Sequence, residues 1–367
     1  MSKKTSSIYP LTPADSRVLF RAAGSYQLSR ADRAVVALSS ICFVGSVFWV
    51  PIFYGWLWKK WSKIPKEDKK RRAFYAALLI ALAGLVAKGP HRSVKAGEWM
   101  NVRKWSLWRA WLNYLSIEIV SDQSHTESPS LATKVFDTVK DQAILAVVPH
   151  GIFPFALAFA ALPEETNQYF GRFRPVVATA TALFPFVRDF LSMLGAVDAS
   201  RSAVDRALSD GSRIGLAPGG IAEMFEGYPK PNTQPHEEYA ILNSRKGFIR
   251  MAMKHGIPVI PVYCFGAKQT LKRLQLPNFV ESMSNILRIS ICLFFGPWGL
   301  PMPFRQRLLY IIGKPIFPPQ LTNMETGSEN IDMQVNEMHK RFCDQLLKIF
   351  DKHKESYGWG HKELKII

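Results

Sequence analysis

The stretch AILAVVPHGIFPF, residues 143–155, decides how the rest of the chain is interpreted. Its first six residues are apolar and partly β-branched, which is typical of a short buried strand. Pro149 cannot continue a sheet ladder and Gly151 tolerates a tight turn, so the strand should end there. A second apolar run follows and predicts a buried helix over residues 151–162. His150 is therefore expected at the carboxyl end of a strand.

His150 has two interpretations at this point. In open α/β sheets the carboxyl ends of the strands commonly carry the chemistry. A histidine placed there can act as a general base near neutral pH. The alternative is a structural histidine whose ring is satisfied by a backbone carbonyl in the core. Both stay open until the rest of the sequence is considered.

The composition favours an anionic or lipid environment. The 367 residues include 47 Lys and Arg against 29 Asp and Glu, which gives a net charge of +18. Such an excess attracts nucleic acid, a membrane surface or a phosphorylated substrate. Hydrophobic residues make up 48% of the chain, with 10 Trp and 24 Phe. This content disfavours nucleic acid and favours the interface between membrane and water.

Metal and covalent-serine chemistry are disfavoured by the motifs that the sequence lacks. The four cysteines are isolated, without a CxxC pair, which indicates a reduced compartment and argues against a metal site. The eight histidines include no HExxH pair, and no G-x-S-x-G elbow occurs. We therefore expect neither a metal nor a cofactor.

Residues 34–87 are expected to form a membrane-embedded hydrophobic hairpin. Residues 34–58 are 25 consecutive uncharged positions, enough to cross a bilayer, and residues 73–87 form a second apolar run. The segment between them, 59–72, carries eight basic and two acidic residues. A double span would carry this basic loop across the membrane, against the positive-inside tendency. Two spans and a re-entrant hairpin both stay open, and residues 1–33 are interpreted as a polar, basic tail.

The second half of the chain alternates strands with helices. After an interfacial connecting region at residues 88–130, a domain is predicted over residues 131–355, with a C-terminal tail at 356–367. Strands are predicted at residues 143–148, 175–180, 213–217, 257–263 and 308–312, and helices at 151–162, 184–195 and 243–255. The alternation predicts an α/β domain with a largely parallel sheet and flanking helices.

Several charged residues accompany His150 in this domain. The stretch PGGIAE, residues 218–223, follows the strand predicted at residues 213–217. It is predicted to form a glycine turn that places Glu223 near the end of that strand. The stretch SRKGF, residues 244–248, places basic side chains at the start of a helix. Arg188 lies on another predicted helix, and Arg201 follows that helix.

In this order and spacing, the motifs resemble the type-2 diacylglycerol acyltransferase family. That family also contains monoacylglycerol and wax-ester acyltransferases and is distantly similar to lysophospholipid acyltransferases. The resemblance covers residues 30–355 and is carried by four motifs: Pro149-His150-Gly151, Pro218-Gly219-Gly220 with Glu223, Arg245-Lys246-Gly247-Phe248, and Gly313-Lys314-Pro315-Ile316. It implies an acyltransferase-type sheet that transfers an acyl group from acyl-CoA to a lipid hydroxyl.

The catalytic residues that the resemblance implies are His150 as general base and Glu223 as its partner. The family often has His-Pro-His-Gly, but Val148 stands at the first histidine, and Phe155 stands where lysophospholipid acyltransferases carry an aspartate. Because no carboxylate near in sequence can orient the imidazole, Glu223 is expected to hold the ring in its active tautomer. Backbone N–H groups at the glycine turns are candidates for the oxyanion hole, namely those around Gly151, Gly219 and Gly220.

The substrates that the resemblance implies are acyl-CoA and diacylglycerol, with triacylglycerol as the product. Four cationic side chains are candidates for the CoA phosphates, because guanidinium and ammonium groups bind phosphate well: Arg188, Arg201, Arg245 and Lys246. The alternative acceptors are monoacylglycerol, a fatty alcohol or a lysophospholipid. A non-catalytic membrane-anchored lipid-binding protein is the alternative from another class, although such a protein would not require the histidine and the carboxylate.

The expected location follows from the same resemblance. We expect the endoplasmic reticulum membrane, with the catalytic domain facing the cytosol, or the surface of a lipid droplet. Membrane lipids are the expected partners and nucleic acid is not. A homo-oligomer is one of the assembly states left open.

Overall fold

An eight-stranded mixed sheet organises the protein. The computed structural model describes residues 13, 16–22, 28–87, 98–122, 130, 131, 134–226, 230, 232–287, 292–319 and 328–367. The strands are β1 (Arg17–Arg21), β2 (Glu118–Ser121), β3 (Ser130–Leu131), β4 (Lys134–Val135), β5 (Ile144–Val148), β6 (Arg174–Val177), β7 (Val197–Asp198), β8 (Ile214–Leu216), β9 (Glu237–Ala240), β10 (Val259–Phe265), β11 (Lys272–Arg273), β12 (Phe294–Phe295), β13 (Leu309–Ile312) and β14 (Glu363–Ile366).

Helices flank this sheet, and the first four that the structure describes lie between β1 and β2 in the chain. The helices are α1 (Arg30–Ser39), α2 (Ser46–Ser62), α3 (Lys69–Ala87), α4 (Ser106–Tyr114), α5 (Phe155–Ala161), α6 (Glu164–Phe170), α7 (Pro185–Met193), α8 (Arg201–Ser209), α9 (Gly247–His255), α10 (Asn278–Leu287) and α11 (Ser328–Tyr357). Short 3-10 turns follow several strands, among them Gly220–Met224 and Ala267–Thr270.

The sheet has the order β1-β2-β13-β10-β5-β8-β6-β7. The block from β10 to β7 is parallel throughout. Strand β13 runs antiparallel to β10 and parallel to β2, and β1 closes the edge antiparallel to β2. The prediction of an α/β domain with a largely parallel sheet and flanking helices is confirmed. The carboxyl ends of β5, β8 and β10 therefore lie side by side, which brings the loops that follow them together.

Strand β5 is buried on both faces, which explains why its sequence is a continuous apolar run. Leu145 and Val147 contribute to a cluster that includes α4 and α5. Ile144, Ala146 and Val148 contribute to a cluster on the opposite face, which includes α8, α9 and α11. Full burial of a side chain such as Leu or Val stabilises a fold by about 1.5–3 kcal/mol. The strand that carries His150 is thus anchored from both sides.

Several segments differ from their sequence-based expectations. Helix α5 begins at Phe155, later than residue 151, because Gly151 adopts a left-handed φ of 71° that interrupts helical geometry. Arg17–Arg21, within the segment interpreted as an N-terminal tail, instead forms an edge strand of the main sheet. Glu363–Ile366, within the expected C-terminal tail, pairs in parallel with β9. Residues 88–97 and 123–129 of the expected connecting region lie outside the described residues.

The N-terminal helices bend where the sequence suggested one long apolar run. Helix α1 continues through a π-helical turn, Ser40–Val44, and the helices Arg30–Val44 and Ser46–Ser62 meet at 53°. At the bend, a Cβ on Gly45 would come within 2.9 Å of Pro301 Cγ, so the turn packs closely against a distant loop. Within the described chain no single helix is long and apolar enough to cross a membrane, whereas this bent pair is, by length and composition. The expected membrane hairpin is therefore not confirmed, although α2 does pack against α3.

Candidate active site

The loop after β5 places His150 at the carboxyl edge of the parallel block. Val148 is the last residue of the strand, and Pro149 ends its ladder. Gly151 has a φ of 71°, and a Cβ there would lie 3.2 Å from the carbonyl oxygen of Ala267. Only glycine combines this φ with such a close backbone approach at little cost. The sequence Pro-His-Gly thus turns the chain sharply beneath the loop that follows β10.

The imidazole of His150 is held in one tautomer by its own loop. Its Nδ1 lies 2.7 Å from the carbonyl oxygen of Gly151, which can only accept. Nδ1 therefore carries the hydrogen and donates it, and Nε2 holds the lone pair. Burial lowers the pKa of His150, while the Gly151 carbonyl and the Glu223 charge act in the opposite direction. The net lowering keeps the ring neutral near pH 7, the form that a general base requires.

Glu223 is buried next to His150 but contacts its backbone. The carboxylate Oε2 accepts the N–H of His150 at 2.5 Å, and Oε1 accepts the N–H of Ile241 at 3.1 Å. The side chain is only 2% exposed, so these two bonds offset the cost of burying the charge. Glu223 thus joins the loop after β5 to the segment after β9.

This geometry corrects the role expected for Glu223. The sequence predicted that its carboxylate would hold the imidazole, but the carbonyl of Gly151 occupies Nδ1. The carboxylate acts on the ring indirectly. It binds the backbone N–H of His150, and its negative charge raises the pKa of the imidazole. The physical reason is that a 3-10 turn after β8 carries Glu223 to the strand end, where backbone N–H groups are the nearest donors.

The glycine turn before Glu223 is shaped by that side chain. A Cβ on Gly219 would overlap the Cγ and Cδ atoms of Glu223, so the carboxylate crosses directly over this glycine. Gly220 has a φ of 57°, and its N–H donates to the carbonyl of Ala217 at 3.2 Å. Of the two glycines, Gly220 already uses its N–H inside the turn, which makes it the weaker candidate for an oxyanion hole. Gly219 and Gly151 stay predictions for that role.

The four candidate cations are placed differently. Arg188 is 3% exposed and donates to both carboxylate oxygens of its neighbour Asp189, at 2.8 and 3.1 Å. A buried guanidinium engaged in this way is poorly placed to bind a phosphate from solvent. Arg201 is exposed at the first residue of α8, directly after β7.

The two remaining cations lie close along the chain to Ile241, whose N–H binds Glu223. Arg245 is exposed four residues beyond Ile241. Lys246 is half-buried and donates to Asn336 Oδ1 at 2.7 Å. Arg201 and Arg245 therefore have the solvent access that a phosphate ligand needs, and Lys246 is already occupied by an amide.

Sequence reasoning missed the backbone groups that complete the site. The Gly151 carbonyl orients the ring, the Ile241 N–H holds Glu223, and the Ala267 carbonyl packs over Gly151. Backbone groups carry no residue-type signal, so no motif marks them. The glycines at 151 and 219 were the available signal, since each marks a place where another atom approaches closely. In the part of the chain described here, no group of three or more His, Cys, Asp or Glu residues could hold a metal ion.

Comparison with known sequences decides the family. The profile described as "Diacylglycerol acyltransferase" matches residues 73–366, most of the chain and all of the site. The chain belongs to this family. It is 30% identical over 286 residues to human acyl-CoA wax alcohol acyltransferase 2, covering 72% of this chain and 78% of that protein. It is 27% identical over 295 residues to human diacylglycerol O-acyltransferase 2, covering 75% and 69%.

The resemblance inferred from the four motifs is thus confirmed, and the chain is an acyl-CoA acyltransferase of a family that acts on neutral lipids. Among solved structures, the 1-acyl-sn-glycerophosphate acyltransferase PlsC from Thermotoga maritima aligns over 84% of this chain and 98% of that chain, with a TM-score of 0.36 and 13% identity.

Proposed function

We propose that the protein transfers a fatty acyl group from acyl-CoA to diacylglycerol and so forms triacylglycerol. The observation that carries the chemistry is the hydrogen bond between His150 Nδ1 and the Gly151 carbonyl, at 2.7 Å. It leaves Nε2 of a neutral imidazole as the proton acceptor at the carboxyl edge of the sheet. Family membership supports the acyl donor and the neutral-lipid class of the acceptor.

The reaction can be written from this one base. Nε2 of His150 accepts the proton of the acceptor hydroxyl while the hydroxyl oxygen bonds to the thioester carbonyl carbon. The carbon–sulfur bond then breaks, and the imidazolium returns its proton to the CoA thiolate. Glu223 holds the His150 backbone and lies close enough to stabilise the imidazolium, because its charge raises the pKa of the ring. A backbone N–H at the glycine turns would stabilise the transient oxyanion.

The exposed guanidinium groups suggest where CoA binds. Arg201 and Arg245 both lie on segments that meet the carboxyl edge, one after β7 and one just after the segment that binds Glu223. Bidentate pairing with phosphate suits such side chains. CoA phosphates bound there would leave the thioester to extend toward His150.

Membrane attachment is the second part of the proposal, and exposed apolar residues support it. On α2, Ile52 is 70% and Trp58 is 60% exposed. Trp298 is 87% exposed on a loop whose neighbour Pro301 packs against the bend at Gly45. Large exposed apolar side chains of this kind suit a protein or membrane contact, and Lys59 and Lys60, which follow Trp58 in α2, suit anionic headgroups. We propose the endoplasmic reticulum membrane or a lipid-droplet surface, with the catalytic domain facing the cytosol.

An acceptor panel tests this function directly. Membranes that contain the full-length protein would be incubated with labelled oleoyl-CoA and, in turn, diacylglycerol, monoacylglycerol, fatty alcohol and lysophospholipid, and the products separated by thin-layer chromatography. We expect triacylglycerol to form fastest, and formation to cease with His150→Ala. No acyl transfer to any acceptor would refute the proposal.

A fatty alcohol is the second candidate acceptor. The relative with 30% identity is a wax alcohol acyltransferase, and its identity is slightly higher than that of the diacylglycerol relative. The catalytic step at His150 is the same for either hydroxyl. Wax ester as the main product of the panel would select this alternative.

A further inference from the structure

We propose that the C-terminal segment, residues 362–367, is a positioning element for the active site, which sets Glu223 by fixing the backbone at Ile241. This inference rests on the proposed acyl transfer and deepens it. It concerns residues that act through Glu223 and do not touch substrate. The starting observation is that, among the described residues, Glu223 Oε1 accepts a hydrogen bond from one backbone N–H, that of Ile241.

Ile241 follows β9 directly, and β9 lies outside the main sheet. Within the described chain β9 pairs with β14 alone, in register from Glu237 with Glu363 to Ala240 with Ile366. The eight-stranded sheet therefore offers β9 no strand pairing. Its position comes from β14, from side chains that cross to it, from the core packing of Ala240 and Leu242, and from His339, whose Nε2 lies 2.9 Å from the Leu242 carbonyl oxygen.

Ile367 brackets Ile241 on both sides with backbone hydrogen bonds. Its N–H donates to the carbonyl of Ala240 at 2.9 Å, and its carbonyl accepts from Leu242 at 2.8 Å and from Asn243 at 3.0 Å. Successive residues of an extended chain point their hydrogen-bonding groups to opposite sides. When Ala240 and Leu242 face β14, the N–H of Ile241 faces away from it, toward Glu223. The pairing with Ile367 thus sets the direction of the donor that Glu223 uses.

Side chains from two segments also hold β9, namely Lys362 before β14 and the turn that contains Lys268 and Gln269. Lys362 forms an ion pair with Glu238 at 2.5 Å, with side chains 13% and 6% exposed. Gln269 also donates to Glu238, at 3.1 Å, and Lys268 donates to the Tyr239 carbonyl at 2.5 Å. Gln269 and Lys268 belong to the 3-10 turn that starts at Ala267, the residue packed over Gly151. Strand β9 is therefore held between the C-terminal segment and the turn that covers His150.

The consequence is a chain of backbone contacts that ends at the base. Residues 362–367 fix β9, β9 aims the Ile241 N–H, this N–H holds Glu223, and Glu223 holds the His150 backbone. Loosening the first contact should change the orientation of the His150 ring, although no group that touches substrate is removed. The effect should therefore fall on kcat more than on KM.

The matched pair Ile367→Pro and Ile367→Ala tests this inference. Proline removes the N–H that binds Ala240, whereas alanine keeps all three backbone hydrogen bonds and loses only a side chain that is 41% exposed. We expect Ile367→Pro to lower kcat about threefold to tenfold, with the KM for acyl-CoA nearly unchanged. Ile367→Ala should stay within about twofold of the natural protein. Equal kcat values for the two variants, per folded molecule, would overturn the inference.

A double variant separates positioning from general destabilisation. In Glu223→Gln the side-chain NH₂ group faces one of the two backbone N–H groups and cannot accept its hydrogen bond. The connection from Ile241 through residue 223 to His150 is therefore already broken in this variant. Ile367→Pro should then lower kcat little further, because groups that act as one unit are not additive. The same fold loss in both backgrounds would show that the C-terminal segment acts elsewhere.

Lys362 offers an independent route if Ile367→Pro accumulates poorly. Lys362→Met removes the charge that pairs with buried Glu238, and Lys362→Arg keeps it. We expect loss of kcat in the first variant and rescue in the second, at equal protein level. Normal kcat in Lys362→Met would count against the positioning role. Absence of acyl transfer by the natural protein would instead refute the proposed function, so the two failures are distinguishable.

Discussion

Strand β5 and helix α2 are both rich in apolar residues, and the protein uses those residues in opposite ways. Ile144, Ala146 and Val148 of β5 are fully buried. On α2, Ile52 is 70% and Trp56 is 48% exposed. Composition alone does not separate the two segments. Burial in the first builds a rigid support for His150, whereas exposure in the second leaves apolar area for a partner.

The contrast extends to how each region is held. At the catalytic edge, the Glu223 carboxylate joins the backbone N–H groups of His150 and Ile241, and the Gly151 carbonyl holds the imidazole. Helix α2 contacts the domain near its start, where Phe48 packs on Phe294 with ring centroids 5.0 Å apart. Substitutions at the edge should therefore change chemistry, and substitutions on the exposed face of α2 should change location. The predictions below test that division.

The largest effect is expected at His150. His150→Ala removes the base and should lower turnover by about 10²–10⁴-fold, with protein level and membrane association preserved. His361→Ala, which changes an exposed histidine, is the matched control and should keep full activity. The measurement is initial rate per unit of immunodetected protein. Poor accumulation of His150→Ala with normal activity per molecule would make His150 a structural residue.

Gly219→Ala should have the next largest effect. The new methyl group overlaps Glu223 Cδ and must push the carboxylate off the His150 and Ile241 N–H groups. We expect kcat to fall about 10–100-fold, since two charge-assisted hydrogen bonds are disturbed. Gly55→Ala on α2 fills open space and serves as the control. Comparable kcat in the two variants would mean that the position of Glu223 does not matter.

Substitutions on the exposed face of α2 should change membrane binding and leave the rate of acyl transfer unchanged. Ile52→Asp combined with Trp56→Asp replaces apolar side chains that lie one helical turn apart. The fraction retained by membranes after alkaline carbonate washing should fall about tenfold. Ile52→Leu with Trp56→Phe keeps the apolar area and should remain bound. Unchanged retention of the aspartate variant would show that another surface carries the attachment.

A smaller effect is expected at the proposed CoA site. Arg201→Ala and Arg245→Ala should each raise the KM for acyl-CoA about threefold to tenfold and leave that for the acceptor nearly unchanged. Arg206→Ala, at the other end of α8, is exposed and serves as the control. If acyl-CoA dependence is the same in all three variants, the phosphates bind elsewhere.

The smallest expected effect is a shift in pH dependence. A base works when deprotonated, so kcat/KM should rise with pH through the pKa of His150, with a midpoint below 6.5 because burial lowers that pKa. Glu223→Gln removes a charge that raises the pKa, so the residual activity of this variant should show a lower midpoint still. Rates between about pH 4 and pH 8 test this. A midpoint that moves upward in Glu223→Gln would contradict the electrostatic role of Glu223.

The sequence by itself determined the strand predicted at residues 143–148, which the structure has at Ile144–Val148, its end at Pro149 and the glycine turn before Glu223. These features depend on properties that each residue carries locally, namely apolar branching, the ring of proline and the missing Cβ of glycine. Four short motifs in order were also enough to indicate the family, which the match over residues 73–366 confirmed. Alternation of strands and helices was enough to predict a largely parallel sheet.

Only the tertiary structure decided which groups meet at the site. In the structure the His150 ring donates to the Gly151 carbonyl, and Glu223 accepts from two backbone N–H groups. Arg188 is buried and donates to Asp189. It also turned an expected tail into strand β14. The two Glu223 contacts join residues that are 73 and 18 positions apart in the chain, and they form because the loops after β5, β8 and β9 meet at one edge of the sheet. No residue-type pattern encodes that approach, since every residue presents the same N–H and C=O.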